Sequence, residues 1–344
     1  MGYYDGTKLL SLKDLSGRNP EIVMCTTNRT GGKTTYFNRL MVRRFLERAM
    51  KFCLFYRYDY EVAESTDSFW KDIGPMFFPT HEFDSVKKFK GKFVEFFLDG
   101  ESCGYAVALN SADKLRKISH FFSDVDEILF DEFQPETNAY IPNEIQKFRS
   151  LHTSIARGRG KQVRFVPVYM CANPITILNP YYTAFGVAKR LRKDTKFLRG
   201  NGWVLEDGFV ESAAEAQKDS GFNRAFENDD YGKILSESTY LLDNLSFIEH
   251  MTGRSMYMFT FVYNGKSYAV REFSEKGLYY VDDRIDVDCK NKIVVTTADH
   301  NINYIMLDKN EPMLSMLRKF FHLGLFRFRS PEAKEATLAM LAVY

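Results

Sequence analysis

Two short segments carry residue types that could act together on a nucleotide. The first is Thr27-Asn28-Arg29-Thr30-Gly31-Gly32-Lys33-Thr34, which resembles a Walker A loop. Its paired glycines would let the backbone approach an anion, and a helix starting at Lys33 would add the positive end of its dipole. Lys33 would bridge the β- and γ-phosphates, and the Thr34 hydroxyl would ligate Mg²⁺. Arg29 could add charge to the phosphates or simply face solvent. Thr27 stands where the pattern has its first glycine, and a bare Gly-Lys-Thr is common, so the loop counts only with a strand before it and a helix after it. Thr27, Asn28, Arg29, Thr30, Gly31, Gly32, Lys33, Thr34 and Thr35 are the candidate ATP-binding residues.

The second segment, Glu127-Ile128-Leu129-Phe130-Asp131-Glu132, is an apolar strand ending in adjacent carboxylates, a Walker B pattern. Asp131 would hold the hydration shell of Mg²⁺, and Glu132 would activate the attacking water as general base. An acidic strand end is common in α/β proteins. The two motifs in this order, each on a strand end, point to a P-loop ATPase of the additional-glutamate type rather than a kinase or GTPase. Downstream, Arg157-Gly158-Arg159-Gly160-Lys161 could supply an arginine to a neighbouring subunit's γ-phosphate, or could be a solvated loop. Asn173 suits a polar group touching the γ-phosphate or the water, or a turn residue before Pro174. The catalytic candidates are therefore Lys33, Glu132, Arg157 and Asn173, with Thr34 and Asp131 for the metal.

These residues need strands and helices to bring them together. Residues 21–26 form a short apolar run, and Lys33–Met50 has helical spacing with Phe37, Leu40, Met41, Phe45 and Leu46 on one side. Strands are predicted at 51–57, 92–98, 105–109, 127–130 and 163–172, the second and third of these extra and antiparallel. A helix is predicted at 143–155 with Pro142 in its first turn. Alternating strands and helices argue for a mostly parallel sheet covered on both faces. Beyond residue 200 the pattern changes to helices at 212–218 and 233–242, strands at 256–263, 267–273, 278–282 and 293–297, and helices at 314–323 and 332–341. Asn264-Gly265 is a strong hairpin signal.

Composition sets the outer limits. The 344 residues are 45% hydrophobic and 27% charged, with 31 Phe and 20 Tyr, which excludes collagen-like and disordered classes. No apolar run is long enough to span a membrane. The five cysteines (25, 53, 103, 171, 289) show no CxxC spacing, so neither structural zinc nor a disulfide framework is expected, and a reducing cytosol fits. Residues 151–200 hold ten Lys/Arg against one acid, and 201–250 hold three against eleven. That swing predicts a boundary near 200 and marks Lys189, Arg190, Arg192, Lys193, Lys196 and Arg199 as a candidate polyanion surface, a solvated basic face being the alternative. Asp282, Asp283, Asp286 and Asp288 could bind a metal, though a solvated loop is the simpler expectation.

The segment 128–145 (ILFDEFQPETNAYIPNEI) is very similar to the Walker B region of the small-podophage DNA-packaging ATPases, the phi twenty-nine type. Further resemblances follow in order: Asn179-Pro180-Tyr181, Tyr263-Asn264-Gly265, Gly277–Asp282, Thr296-Thr297 and Phe326-Arg327-Phe328. Within it, Arg157 matches the family's trans-acting arginine, and Asp59 stands where the family has a basic residue. The resemblance implies a P-loop additional-glutamate ATPase domain (1–200), a linker (201–230) and a smaller α+β, RNase H-like domain (231–344) without the nuclease's metal-binding acids. It also implies ATP and Mg²⁺ as cofactors and a homomeric ring, usually described as pentameric. That ring would attach transiently to the prohead's portal vertex in the host cytoplasm and drive double-stranded DNA inward. A structural RNA holds it there in the best-known members, and no membrane is involved. Two other readings remain open on the residues alone. One is a helicase or DNA-transfer ATPase with the same core, and the other is a packaging nuclease with an active C-terminal domain.

Overall fold

A computed structural model describes residues 3–341 except 138, 189, 192–194, 226–246, 291 and 309–311. The helix expected at 233–242 lies outside the described residues. Contacts divide the chain into two units, residues 1–242 and 243–344.

The first unit contains, in chain order, α1 (Thr7–Ser11), β1 (Ile22–Thr26), α2 (Lys33–Arg48), β2 (Lys51–Tyr56), α3 (Asp59–Phe77), β3 (Phe83–Lys88), β4 (Phe93–Leu98), β5 (Glu101–Ala108), α4 (Ala112–Arg116), β6 (Val125–Asp131), α5 (Glu144–Ile155), β7 (Val168–Ala172), α6 (Pro180–Phe185), β8 (Phe197–Gly200), β9 (Trp203–Asp207), α7 (Glu211–Asp219) and α8 (Gly221–Ala225). Its nine strands form one sheet in the order β3-β4-β5-β2-β6-β7-β1-β9-β8. From β5 to β9 every pairing is parallel, and β3, β4 and β8 add antiparallel edges.

The continuous apolar character of β1, β2, β6 and β7 follows from burial on both faces. Alternate residues feed two cores. Met24, Phe55, Phe130 and Met170 pack with Phe148 of α5 and Tyr181 of α6, whereas Val23, Leu54, Leu129 and Cys171 pack with Phe37 and Met41 of α2 and Phe69 and Ile73 of α3. Helix α5 starts at Glu144 after a left-handed Asn143, so Pro142 lies just outside the first turn. The strand expected from Val163 begins only at Val168, since Val163 and Phe165 are exposed and Pro167 has no N–H to donate.

The boundary expected near 200, with 201–230 as a linker, is corrected by β9. This strand pairs in parallel along the whole of β1, from Ile22–Trp203 to Thr26–Asp207. Trp203, Val204 and Leu205 are buried in the first unit's cores. Of the acids in 201–250, Glu206, Asp207, Glu211, Glu215 and Asp219 lie on β9 and α7 of the first unit.

The second unit has β10 (Met256–Tyr263), β11 (Lys266–Phe273), β12 (Leu278–Asp282), β13 (Lys292–Val294), β14 (Ile305–Met306), α9 (Pro312–His322), β15 (Phe326–Phe328) and α10 (Pro331–Leu341). Asn264 and Gly265 both have positive φ (50° and 72°), the conformation a two-residue hairpin requires. The strand order is β14-β13-β10-β11-β12-β15. Three antiparallel strands are extended on the β10 side by two parallel ones, which is the order of an RNase H-like sheet; β15 is added parallel to β12. No carboxylate lies on β10. Asp282 pairs with Arg271 and Asp283 with Arg329, and no cluster of three metal-ligating side chains occurs among the described residues.

Candidate nucleotide site

Because β1, β7 and β6 are adjacent and parallel, their C-terminal ends coincide. Thr26 lies beside Ala172, and Asp131 beside Cys171. Thr27, Glu132 and Asn173 therefore leave the sheet at one edge, where α2 begins. Gly32 is left-handed (φ 87°) and caps α2. A Cβ on Gly31 would lie 2.9 Å from Val210 Cγ2, so a side chain there would force Val210 to shift.

The loop is held from the β9–α7 side. The Asn28 amide donates to the Val210 carbonyl at 3.1 Å and accepts from its N–H at 2.8 Å. The Gly208 N–H donates to the Thr26 carbonyl at 2.8 Å. Gln217 of α7 donates to the Thr30 hydroxyl at 3.2 Å. A segment expected to be a linker thus shapes the loop.

Lys33 is buried, and its ammonium donates to Asn173 Oδ1 at 2.5 Å. The two sequence candidates are brought into contact, with the lysine held at the loop's centre. Thr34 is exposed beside them. Asp131 Oδ1 accepts from the Glu132 N–H at 3.0 Å and from the Cys171 thiol at 3.1 Å. Burial, then Asp131, pushes that thiol well above its ordinary range, so it stays a neutral donor. A cavity of about 380 Å³ lies between these groups, lined among others by Thr34, Asn38, Arg57, Glu61, Asp131 and Glu132. A hydroxyl and a carboxylate on one wall are hard oxygen donors, which fits Mg²⁺, an ion that takes few protein ligands and keeps waters and substrate phosphates for the rest.

Glu132 has a left-handed backbone (φ 54°), unusual for a side chain with a Cβ. Desolvation in the cleft raises its carboxyl above the ordinary range, and Asp131 adds to this; Arg29 and Lys33 act the other way. That direction suits a base that must accept a proton near neutral pH. Arg29 itself is paired with Glu136.

Sequence reasoning missed the group that holds Glu132 in place. Arg57, at the end of β2, is buried, with a side-chain exposure of 5%. Its guanidinium donates to both oxygens of Glu144 at 3.0 Å, to the Glu132 carbonyl at 3.2 Å and to the Phe133 carbonyl at 3.1 Å. Tyr181 donates to Glu144 at 2.8 Å, and the Ile141 N–H at 3.0 Å. A lone arginine in a tyrosine-rich strand end carries no local sign of partners 75 to 87 residues away. Asp59 accepts from Ser111 at 2.9 Å in the first turn of α3.

Arg157 is not at this edge. Helix α5 runs back along the sheet, and the turn after it sits at the start of β6. Arg159 pairs with Asp126 at 2.9 Å and donates to the Asp124 carbonyl at 2.6 Å, and a Cβ on Gly158 would meet Ser123. Arg157 is exposed, with no hydrogen bond or ion pair to any described residue. Of the two arginines, Arg159 is occupied within its own chain and Arg157 is exposed. Of the basic stretch, Lys189, Arg192 and Lys193 lie outside the described residues. Arg190 is engaged structurally: it donates to the Arg199 carbonyl at 2.7 Å and lies 5.4 Å from the Trp203 ring centroid.

Strand order, parallel pairing and the strand–loop–helix at Thr26–Lys33 define a mixed α/β protein on a large, mostly parallel sheet, with an anion-binding type of loop at its carboxyl edge. The chain belongs to the podovirus DNA encapsidation protein (Gp16) family, whose model matches residues 2–341. It is similar to the DNA packaging protein of Bacillus phage phi29, with 28% identity over 306 residues covering 86% of each chain. The DNA packaging protein of Bacillus phage B103 is 25% identical over 294 residues, covering 85% of this chain and 84% of that one. Among solved structures, a chain of the bacteriophage Phi-29 viral genome packaging motor assembly superposes with a TM-score of 0.72 at 25% identity, covering 99% of this chain and 100% of that one. The Phi-28 gp11 DNA packaging motor shares the fold, with a TM-score of 0.57 at 16% identity over 99% of this chain and 98% of that one. No helix among the described residues is long and apolar enough to cross a membrane.

Proposed function

We propose that this protein is the ATP-driven motor that moves double-stranded DNA into a viral prohead. The observation that carries this reading is the convergence of Lys33, Thr34, Asp131 and Glu132 on one edge of the sheet, in a chain that matches the encapsidation family over 2–341. In this reading the Thr27–Thr35 backbone cradles the phosphates of ATP. Lys33 leaves Asn173 partly or wholly to meet the terminal phosphates, and Asn173 is then free to contact the γ-phosphate or the water. Thr34 and Asp131 would hold Mg²⁺, which would supply charge neutralisation for the phosphates. Glu132 takes the proton of the attacking water.

Arg157 follows α5 in the turn that meets the start of β6, away from its own loop, which supports reading it in trans. Each site is then completed by a neighbouring copy, which accords with a homomeric ring, taken as a pentamer, on the portal. A structural RNA at that junction belongs to the same expectation, as does transient attachment in the host cytoplasm. The grip on DNA is expected to be largely independent of sequence, through phosphate contacts. The second unit is read as RNase H-like without nuclease activity, because β10 has no carboxylate and no three-ligand cluster is present among the described residues.

Nucleotide binding and hydrolysis by the purified chain test the site. Lys33→Ala should weaken ATP binding, and Glu132→Gln should bind ATP while ceasing to hydrolyse it. Parental turnover in Glu132→Gln would remove Glu132 as the base. Metal-dependent cleavage of DNA by the parental chain would overturn the reading of the second unit.

A further inference from the structure

The cavity beside the base-catalytic groups is not the only one at this loop. A second, of about 580 Å³, opens from Gly32–Thr35 on the outer side of α2, and its walls include Tyr3, Tyr4, Tyr36, Arg39, Met76 and Phe77. A volume of about 300–1,000 Å³ with an apolar, aromatic lining is what a small organic ligand fills. The walls come from three places: the first residues of the chain, the first turns of α2, and the C-terminal end of α3.

The N-terminal wall is pinned to the loop itself. The Tyr4 N–H donates to the Gly31 carbonyl at 2.7 Å, and the Tyr4 hydroxyl donates to Glu206 at 2.6 Å. The Tyr4 ring is buried and meets Tyr36 edge-on at 5.4 Å. This fixes the backbone of Tyr3, whose ring is nonetheless 77% exposed. Tyr3 lies directly over Gly32, where a Cβ would come 3.4 Å from Tyr3 Cδ1. Met76, on the same cavity's lining, is 69% exposed, and the Arg39 guanidinium sits 4.7 Å from the Phe77 ring centroid. A single exposed apolar side chain needs no explanation. Here an anchored tyrosine, a methionine and a cation-stiffened phenylalanine share one cavity that abuts the phosphate loop.

We propose that this cavity is the nucleobase subsite of the nucleotide site and takes a purine, with Tyr3 as its stacking wall and Met76 and Phe77 as further lining. The proposal rests on the reading that Thr27–Thr35 holds phosphates. With phosphates on that loop, the remainder of the nucleotide must leave it, and this cavity opens directly from Lys33, Thr34 and Thr35. A planar, polarisable ring is recognised by aromatic faces and thioether sulfur, which a sugar or a further phosphate is not. The larger ring system of a purine gains more from such walls than a pyrimidine. Arg39 presents only donors, suited to the ring nitrogens that purines expose as acceptors.

The test is equilibrium binding by the full chain with Mg²⁺, comparing ATP, CTP and inorganic tripolyphosphate, which has phosphates but no base. Base–aromatic stacking of the usual strength predicts that Tyr3→Ala weakens ATP binding by about five- to 100-fold. Tyr3→Phe should bind ATP like the parent, Met76→Ala should weaken it more modestly, and tripolyphosphate should bind all four alike. The parental preference for ATP over CTP should narrow in Tyr3→Ala. Parental ATP affinity in both Tyr3→Ala and Met76→Ala would overturn the proposal and leave the phosphate site standing. An equal loss of ATP and tripolyphosphate in Tyr3→Ala would also overturn it, showing that the N-terminal segment props the loop instead. A parental chain that binds neither ATP nor tripolyphosphate would overturn the nucleotide reading itself.

Discussion

Replacing Arg57 by Met separates two consequences of one buried group. Its guanidinium neutralises Glu144, which is itself buried, and holds the carbonyls of Glu132 and Phe133. Removing one partner of a buried ion pair costs about 3–5 kcal/mol because the other charge is left uncompensated. The upper part of that range is expected, since two main-chain carbonyls lose a charged donor as well. Against a domain stability of about 5–15 kcal/mol the loss is large but survivable. Urea denaturation followed by tryptophan fluorescence reads it selectively, because both tryptophans, Trp70 and Trp203, lie in the first unit. Replacing Arg57 and Glu144 together by Met should return stability to within about 1–2 kcal/mol of the parent, since no charge is then stranded. Hydrolysis should stay low in the double variant, because the Glu132 and Phe133 carbonyls have lost the guanidinium that holds them. An Arg57→Met protein that loses less than about 1 kcal/mol and hydrolyses ATP at the parental rate would refute both parts. Recovery of hydrolysis along with stability in the double variant would refute the positioning part alone.

Other outcomes follow from the same geometry. Arg157→Ala should lower turnover by about 10³–10⁵ without blocking nucleotide binding. Mixing it with Glu132→Gln subunits should restore activity at interfaces that keep both groups, and no recovery in any mixture would count against action in trans. Arg159→Ala should loosen the turn at Asp126 and leave most turnover intact; the reverse pattern would move the role two residues along. Glu127 is fully buried against Arg44, with one carboxylate oxygen unpartnered, and burial pushes its pKa up to about 7 from 4.5. The folded state therefore binds more protons than the unfolded state between those values, so Glu127 makes stability fall as pH rises from about 4.5 to 7. Urea midpoints across that window should show a flatter profile in Glu127→Gln, and an unchanged slope would contradict this.

What was legible in the sequence was the chemistry that strand ends carry locally. Apolar runs followed by Gly-Gly-Lys-Thr or Asp-Glu announce themselves, and the structure brings Lys33, Thr34, Asp131, Glu132 and Asn173 to one edge as their spacing implied. Several elements were not legible. Helix α3 contains Gly74 and Pro75 near its end and Ser, Thr and Asp within it, which blunt helical periodicity. The edge strand β3 (FDSVKK) is too polar to read as sheet. Strand β9 was hidden by the charge swing around it, because its membership in the sheet depends on pairing with β1, almost two hundred residues earlier. Arg57 and Tyr3 were invisible for the same reason: each matters through partners that only the fold supplies. In the basic stretch, charge alone suggested a nucleic-acid surface, but Arg190 is spent on Arg199 and Trp203. An arginine's role is set by what lies within its reach, which composition does not encode.

Whether hydrolysis at Glu132 drives DNA into a capsid is read by DNase protection in a defined packaging reaction. Purified proheads, the phage's double-stranded genome, ATP and Mg²⁺ are combined with the parental chain or with Glu132→Gln, with and without prior RNase treatment of the proheads. Genome-length protected DNA is expected with the parent, and none with Glu132→Gln despite retained ATP binding. The RNase arm reads the need for a structural RNA. Protected DNA with Glu132→Gln, or vigorous hydrolysis by the parent that separates strands without proheads and protects no DNA in their presence, would show that hydrolysis at Glu132 does not drive packaging.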